Sequence, residues 1–222
     1  MTARVTLDRR VDEAPIDDPA AWTTAALEHG ATLRRVREAA AHCRGCALWR
    51  RATQTVFGRG AARPHLMLVG EQPGDAEDRR GEPFVGPAGK LLDRALGEAG
   101  IEREAVYVTN AVKHFRWESR GKSRIHKKPR PAEARACRPW LLIEIALLQP
   151  AVIVALGATA AQSLAGPQVR VLRDRGAPLA SSLAPALYVT VHPSALLREP
   201  DAAARAAAFA AFVADLRRAA RH

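Results

Sequence analysis

Residues 65–75 have the sequence His-Leu-Met-Leu-Val-Gly-Glu-Gln-Pro-Gly-Asp, an apolar run that leads into a turn with polar side chains. An apolar run of this length, closed by Gly and Pro, predicts a buried strand that ends at Gly70. Glu71, Gln72 and Asp75 then follow the carboxyl end of that strand, which is where open α/β sheets bind their ligands.

Three further apolar runs predict the other strands, and helical segments lie between them. The predicted strands cover residues 65–69, 105–112, 151–156 and 187–191, and the predicted helices cover 90–99, 131–148, 159–164 and 201–219. Strands that alternate with helices are typical of a parallel sheet covered on both faces. We therefore expect an α/β fold, a three-layer α/β/α sandwich with a four-stranded, largely parallel central sheet.

The sequence before the first predicted strand divides into two parts. Residues 1–18 mix Asp, Glu, Arg and Pro without periodicity and predict a flexible N-terminal arm. From residue 19 to residue 41 the apolar positions predict a helix that is interrupted near Gly30. We expect residues 19–222 to form a single domain.

The chain is strongly basic, with 34 Lys and Arg against 23 Asp and Glu and a formal net charge of +11. A bias of this size favours a polyanionic partner, either nucleic acid or an anionic membrane surface. No apolar run reaches the roughly 20 residues that a membrane span requires, and the first residues do not resemble a signal peptide. We expect a cytoplasmic protein that does not enter a membrane.

Three cysteines are present, and Cys43 and Cys46 form a C-x-x-C motif, with Cys137 far along the chain. An odd number that includes a close pair fits a reducing compartment and metal or cluster ligation better than a disulfide framework. The alternative is that the pair consists of two ordinary small residues on a loop.

Polar residues also follow two of the other predicted strands. Asn110 lies at the end of the second strand and His192 follows the fourth, so both can meet Glu71 and Gln72 at one edge of a parallel sheet. Each residue alone has an ordinary explanation, as a solvated Glu, a turn-capping Asn or a loop His. Three such strand ends on one basic protein favour a common site.

Together these motifs resemble those of the iron-sulfur uracil-DNA glycosylases, from about Cys43 to the C-terminus. The resemblance is carried by the C-x-x-C, Cys137, residues 71–92, Thr109-Asn110 and His192-Pro193-Ser194. Within that superfamily, Gly-Glu-Gln-Pro-Gly at 70–74 and Ser-Arg-Ile-His-Lys-Lys-Pro at 123–129 resemble UdgX, the branch that becomes covalently attached to uracil-containing DNA. The other iron-sulfur glycosylases have a shorter loop there without that histidine.

The resemblance implies a 4Fe-4S cluster with four ligands: Cys43, Cys46, His114 and Cys137. His114 stands where the usual family pattern has a cysteine shortly after Thr-Asn, and the same substitution is found in UdgX. From the residues alone, three cysteines and a histidine fit a structural zinc ion equally well. For His114 the alternative is a phosphate contact in a basic loop.

The resemblance also assigns roles in uracil recognition. Phe84 stacks on the base, Asn110 reads the uracil edge, and Gly70 and Ser194 belong to the same binding pocket. Departure of the base leaves negative charge on uracil, so a donor aimed at its carbonyl lowers the barrier. The resemblance gives that role to His192.

Capture of the sugar at C1′ is the step in which UdgX differs from a hydrolytic glycosylase. The resemblance implies that the imidazole of His126 attacks C1′ in place of water, and forms a stable bond. Glu71 is expected to orient His126 and take up charge, while Gln72 and Asp75 complete the pocket or hold a water. From composition alone, His126 is a phosphate or minor-groove contact.

Residues 113–131 form the most basic predicted loop. Its cations are expected to contact the DNA backbone: Lys122, Arg124, Lys127, Lys128 and Arg130. We expect uracil-containing DNA as the partner, preferably single-stranded and held by charge and stacking, and a monomeric protein. The alternatives are a conventional turnover uracil-DNA glycosylase and a noncatalytic nucleic-acid-binding module with structural zinc.

Overall fold

The computed structural model describes residues 15–222 of the chain. The expected N-terminal arm, residues 1–18, therefore lies outside the described residues except for its last four. Of these, Ile16 is buried and forms an isolated parallel bridge with Cys43. The packed structure thus includes residues before 19, and the division into arm and domain otherwise stays a prediction.

A five-stranded sheet lies at the centre, in the strand order β1-β3-β2-β6-β7. The described strands are β1 (Arg59–Gly60), β2 (Leu66–Gly70), β3 (Tyr107–Asn110), β4 (Trp117–Arg120), β5 (Ser123–His126), β6 (Val152–Leu156) and β7 (Ala186–Thr190). Only β1 runs antiparallel in this sheet. The predicted largely parallel α/β sheet is confirmed. The predicted number of four strands is too low by one, because the two exposed residues of β1 have no apolar pattern.

Helices cover both faces of the sheet, as predicted. The described α-helices are α1 (Pro19–Glu28), α2 (Leu33–Ala40), α3 (Asp75–Arg80), α4 (Pro87–Ala99), α5 (Pro131–Leu148), α6 (Ala158–Ala165), α7 (Val171–Asp174), α8 (Pro193–Leu197) and α9 (Ala202–Ala220). Alternate residues of each strand point to opposite faces. Leu68 and the other strand residues on its face of the sheet pack on α4, α8 and α9. Met67 and the other strand residues on the opposite face pack on α5 and α6. Among the helices of residues 15–222, none has the length and apolar character needed to cross a bilayer.

The N-terminal helices α1 and α2 pack against α5 in a separate hydrophobic cluster. Val36 of α2 and Trp140 and Ile143 of α5 belong to this cluster, and so do Cys43 and Cys137. The packing therefore brings the segment that follows α2 against the first half of α5. Two cysteines that are 94 positions apart in the sequence thereby join the same buried cluster.

The basic segment predicted as a loop contains a β-hairpin. Strands β4 and β5 pair antiparallel around a turn with Gly121, which has a left-handed φ of 58°. Among the described strands the hairpin pairs only within itself, as a two-stranded sheet apart from the central one. His126 ends β5 opposite Trp117. The sequence did not predict this hairpin because its residues are mostly exposed and lack alternating apolar positions.

Candidate functional site

A cavity of about 560 Å³ opens at the carboxyl edge of the parallel strands. Among its lining residues are seven that the sequence predicted: Gln72, Asp75, Phe84, Asn110, His126, His192 and Ser194. Glu71 lines a neighbouring cavity of about 410 Å³, and His126 and His192 line both. The fold thus brings together three strand ends and the end of the hairpin.

Gly70 makes room for the two side chains at the floor of the larger cavity. It lies beside Asn110 in the β2–β3 register, and a Cβ on Gly70 would lie 2.6 Å from Cζ of Phe84 and closer still to Oδ1 of Asn110. No larger residue fits unless these groups move. Gly70 therefore acts by leaving space, and it supplies no side chain to a ligand.

The loop that carries Phe84 is held in an unusual conformation. Phe84 has a left-handed φ of 57°, and a Cβ on Gly89 would overlap its carbonyl oxygen. The buried carboxylate of Glu77 accepts the Gly74 N–H at 3.1 Å and the Gly86 N–H at 2.8 Å, which joins the strand-end turn to this loop. Sequence reasoning missed Glu77, although its place in the first turn of α3 is typical of a capping carboxylate.

His192 is held as a neutral ring that donates from Nε2. Its Nδ1 accepts the backbone N–H of Ser194 at 3.1 Å and lies 2.8 Å from the Ser194 hydroxyl. Because Nδ1 accepts a hydrogen bond, the proton of the neutral ring is on Nε2. Burial, with smaller contributions from His126 and Arg198, lowers the pKa of His192 to about 4. Ser194 thus supports His192 as well as lining the cavity.

His126 lies beside the carboxylate of Glu71. Nε2 of His126 is 3.6 Å from one Glu71 oxygen, and the other oxygen accepts a hydrogen bond from the Thr159 hydroxyl. Burial lowers the pKa of His126, Glu71 opposes this shift, and Arg198 adds to it. The lowered pKa favours the neutral imidazole, which has a lone pair available. Thr159, in the first turn of α6, was not predicted.

Gln72 lines both cavities, and its side-chain amide also bonds the backbone. Its Nε2 donates to the carbonyl oxygens of Arg116 and Lys127 at 3.2 and 3.0 Å, and its Oε1 accepts the Arg116 N–H at 3.1 Å. The amide is therefore occupied by the backbone at the base of the hairpin. Gln72 joins the two ends of the segment that presents His126.

Asp75 and Arg124 likewise hold the hairpin in place. The Arg124 guanidinium contacts the carboxylates of Asp75 and Asp78, the latter at 2.6 Å, and its side chain is 13% exposed. Asp75 also accepts from Arg79 at 2.9 Å. The predicted contact of Arg124 with DNA phosphate stays a prediction, but these two carboxylates already pair with its charge. Asp75 lines the cavity, but it is committed to ion pairs.

The other predicted DNA-contacting cations differ in their availability. Lys127 pairs with Glu118 at 2.9 Å. Lys122, Lys128 and Arg130 are exposed, and Lys128 lines the neighbouring cavity. Arg198, which the sequence did not single out, lines both cavities and donates to the Ser194 hydroxyl at 3.3 Å.

The predicted cluster ligands lie where α2, β3 and α5 meet. Cys43 and His114 line a cavity of about 220 Å³. Nε2 of His114 is 3.0 Å from the Thr55 hydroxyl, whereas its buried Nδ1 has no hydrogen-bond partner. An unpaired buried nitrogen is costly, and coordination would satisfy it. This orphaned atom fits the expectation that His114 is a ligand.

The three thiols lie in surroundings that favour the protonated form when no cluster is bound. Burial raises the pKa of the Cys137 thiol to about 12, and it raises those of Cys43 and Cys46. Cys43 Sγ accepts from Trp140 Nε1 and Cys137 Sγ from the Lys113 N–H, both at 3.1 Å. Within residues 15–222, no three His, Cys, Asp or Glu side chains are arranged to hold a single metal ion. The donor set itself fits a cluster bound between these elements.

Comparison with known proteins finds uracil-DNA glycosylases among the relatives of this chain. The family model of the uracil DNA glycosylase superfamily matches residues 57–217. The chain is 40% identical over 164 residues to the type-4 uracil-DNA glycosylase of Thermotoga maritima, which covers 73% of this chain and 82% of the relative. It is 36% identical over 175 residues to that of Pyrobaculum aerophilum, with 76% and 86% covered. The type-5 enzyme of Thermus thermophilus is 34% identical over 136 residues, with 54% and 57% covered.

Proposed function

The chain belongs to the uracil DNA glycosylase superfamily and is a uracil-DNA glycosylase, and from that premise we propose that it becomes covalently bonded to its DNA through His126. One observation carries the finer part of this proposal. A neutral imidazole lies between two cavities, beside a carboxylate and close to the strand ends that carry Asn110 and His192. In this it is of the UdgX type.

Asn110 and Phe84 recognise uracil. The base must first leave the stack, at a cost of a few kcal/mol, and enter the larger cavity. There the amide of Asn110 pairs with the adjacent donor and acceptor groups of the uracil edge, and Phe84 supplies a stacking face. Gly70 leaves the space that both side chains need.

Bond cleavage is assisted by His192. The C1′–N1 bond breaks with its electron pair going to uracil, and the sugar becomes oxocarbenium-like. The Nε2–H of neutral His192 donates to the uracil carbonyl and stabilises the anion as it forms. Burial lowers the pKa of His192 to about 4, so the ring that donates this hydrogen bond is neutral.

Capture of the sugar completes the reaction. The lone pair of a ring nitrogen of His126 forms a bond to C1′, and the proton on the other nitrogen passes to Glu71 and finally to the uracil anion. The DNA thus gains the imidazole at C1′, and uracil leaves with the proton that the imidazole has lost. An imidazole bonded through nitrogen is a poor leaving group, so one protein molecule reacts once.

A 4Fe-4S cluster is part of the proposal. Cys43, Cys46, His114 and Cys137 would hold it, and when bound it would join the N-terminal segment to α5 and to the end of β3 as a structural group. The orphaned Nδ1 of His114 supports this assignment. Broad absorbance near about 400 nm is expected of purified protein that carries the cluster.

A turnover glycosylase that releases free uracil is the second candidate, and the type-4 relatives favour it. The two candidates are separated by incubating the protein with uracil-containing single-stranded DNA and running a denaturing gel. Trapping predicts an adduct that survives SDS and heat, and uracil release that stops at one equivalent per protein. Turnover predicts no adduct and uracil in molar excess.

The nucleophile is tested with His126→Ala, which is expected to abolish the adduct because the other imidazole in the cavity, that of His192, has its Nδ1 bonded to Ser194 and carries its proton on Nε2. The matched control is His65→Ala, which removes an exposed histidine just before β2 and should form the adduct as the wild type does. An undiminished adduct in His126→Ala would mean that another residue attacks.

A further inference from the structure

The first turn of α6 supplies a hydroxyl to the carboxylate beside His126. Thr159 donates to Oε2 of Glu71, while Oε1 of the same carboxylate lies 3.6 Å from Nε2 of His126. Thr159 is 6% exposed, so little water can compete for this hydrogen bond. Glu71 is thus in contact with the buried Thr159 on one side and with His126, which lines the cavity, on the other.

The hydrogen bond from Thr159 to Glu71 has only one possible direction, and the Thr159 hydroxyl has little freedom to move. An ionised carboxylate only accepts hydrogen bonds, so the hydroxyl must donate. A β-branched side chain on a helix has few χ1 choices, and α6 begins directly after Gly157, whose N–H bonds the Thr190 carbonyl at 2.9 Å. The hydroxyl is therefore anchored to the central sheet.

Glu71 itself is less constrained. Its side chain is 23% exposed and lies in the turn after β2, so without a partner its carboxylate could turn toward solvent. The hairpin that carries His126 approaches from the other side and is held by Gln72 and Arg124. Thr159 is thus the group on the sheet side that fixes where the carboxylate meets the imidazole.

We propose that Thr159 is a positioning residue that holds Glu71 against His126, and that this contact determines whether His126 or water captures the sugar. The proposal rests on the proposed function. Thr159 touches neither the base nor the sugar, and cleavage depends on Asn110 and His192. Loss of the hydroxyl should therefore alter the fate of the sugar more than the rate of uracil release.

The test measures how the products are partitioned in a single turnover with uracil-containing single-stranded DNA. Thr159→Val keeps the shape and removes the hydroxyl, and it should lower the ratio of adduct to free abasic site by about tenfold, as expected for a lost hydrogen bond to a charged group. Thr159→Ser keeps the donor and should restore the ratio. Uracil release should change by less than about threefold in both variants.

The matched control is Thr190→Val. Thr190 donates to the Asp215 carboxylate at 2.6 Å, so the control loses a buried bond of the same kind that does not involve Glu71. Thr190→Val is expected to lose about as much stability as Thr159→Val, while its ratio of adduct to free abasic site stays unchanged. If Thr159→Val does not fold, Thr159→Ala removes the same donor without a methyl group against the carboxylate.

The outcomes separate the two proposals. Wild-type protein that forms the adduct, together with a Thr159→Val or Thr159→Ala variant of unchanged ratio, overturns the role of Thr159 and leaves trapping intact. Wild-type protein that forms no adduct and releases uracil in excess overturns trapping, and the role of Thr159 with it. An equal fall in both products would indicate a purely structural role and would also contradict the proposal.

Discussion

Gly70 is a position at which the proposed recognition pocket tolerates no added side chain without movement of its neighbours. The positions of Asn110 and Phe84 both depend on the missing side chain, because a Cβ would lie 2.6 Å from the Phe84 ring and nearer to the Asn110 amide. Inserting atoms into a packed site of this kind costs about 1–3 kcal/mol. The cost falls on Asn110 and Phe84, the two groups proposed to recognise the base.

Gly70→Ala is therefore expected to slow uracil release by at least about tenfold, measured as initial rates under single-turnover conditions. The control is Gly97→Ala in α4, where an added Cβ has nothing within 4 Å. The control should keep full activity and gain up to about 1 kcal/mol of unfolding free energy, because alanine favours the helix. Equal rates in the two variants would contradict the proposed packing of the pocket.

At the residue scale, the site residues that could be predicted are those that neighbouring sequence marks, such as residues at the end of an apolar run. Asn110 and His192 follow predicted strands, so their place on one edge could be inferred from topology. Thr159 could not be, because its partner Glu71 is 88 positions away and nothing in the sequence marks the contact. Gln72 was assigned to the cavity that it lines, but its bonds to the backbone at the base of the unpredicted hairpin could not be predicted.

Between elements, a buried ion pair joins α5 to the end of β3. Glu144 accepts from the Tyr107 hydroxyl at 2.8 Å, the Gly58 N–H at 3.0 Å and the Lys113 ammonium group, with both charged side chains at most 1% exposed. Lys113 also donates to the Asn110 carbonyl at 2.8 Å. The pair therefore supports the backbone at Asn110, the residue proposed to read the uracil edge.

Glu144→Gln removes the compensating charge and is expected to cost about 3–5 kcal/mol of unfolding free energy, as for other broken buried pairs. Urea unfolding followed by circular dichroism measures this loss. The control is Arg34→Ala, which breaks an exposed pair with Glu38, the two side chains being 77% and 51% exposed, and should cost less than about 1 kcal/mol. Similar losses in the two variants would show that the buried pair is not what fixes α5 to β3.

Elements with a strong apolar pattern were predictable almost to the residue. The predicted helix at 131–148 coincides with α5, and the interruption near Gly30 separates α1 from α2, with Gly30 at a φ of 67°. The hairpin was not predictable, because long-range polar contacts stabilise it in place of an apolar face.

For the whole molecule, the 34 Lys and Arg outnumber the cations that are available to a nucleic acid. Arg124 and Lys127 are committed to ion pairs, whereas Lys122, Lys128 and Arg130 are exposed around the hairpin. Composition predicted a polyanionic partner, but it could not tell paired cations from free ones, because the pairing depends on the tertiary structure.

Affinity for single-stranded DNA should fall with salt with a log–log slope of about −2, which corresponds to three phosphate contacts. Fluorescence anisotropy in a His126→Ala background, which prevents trapping, measures this slope. Lys128→Gln should reduce its magnitude by about 0.7, and Arg34→Gln, on the distant helix α2, should leave it unchanged. A slope that responds equally to both substitutions would mean that binding follows net charge and not these contacts.

The hairpin forms a sheet of its own, apart from the central one. A segment attached in this way can be lengthened, shortened or deleted without breaking a ladder of the domain, since surface insertions are tolerated far better than changes within a core. The groups proposed to recognise and release the base lie on the domain itself, whereas the proposed nucleophile lies on the hairpin. Under the proposed mechanism, insertion or deletion of this one segment is enough to convert a glycosylase that turns over into one that is consumed.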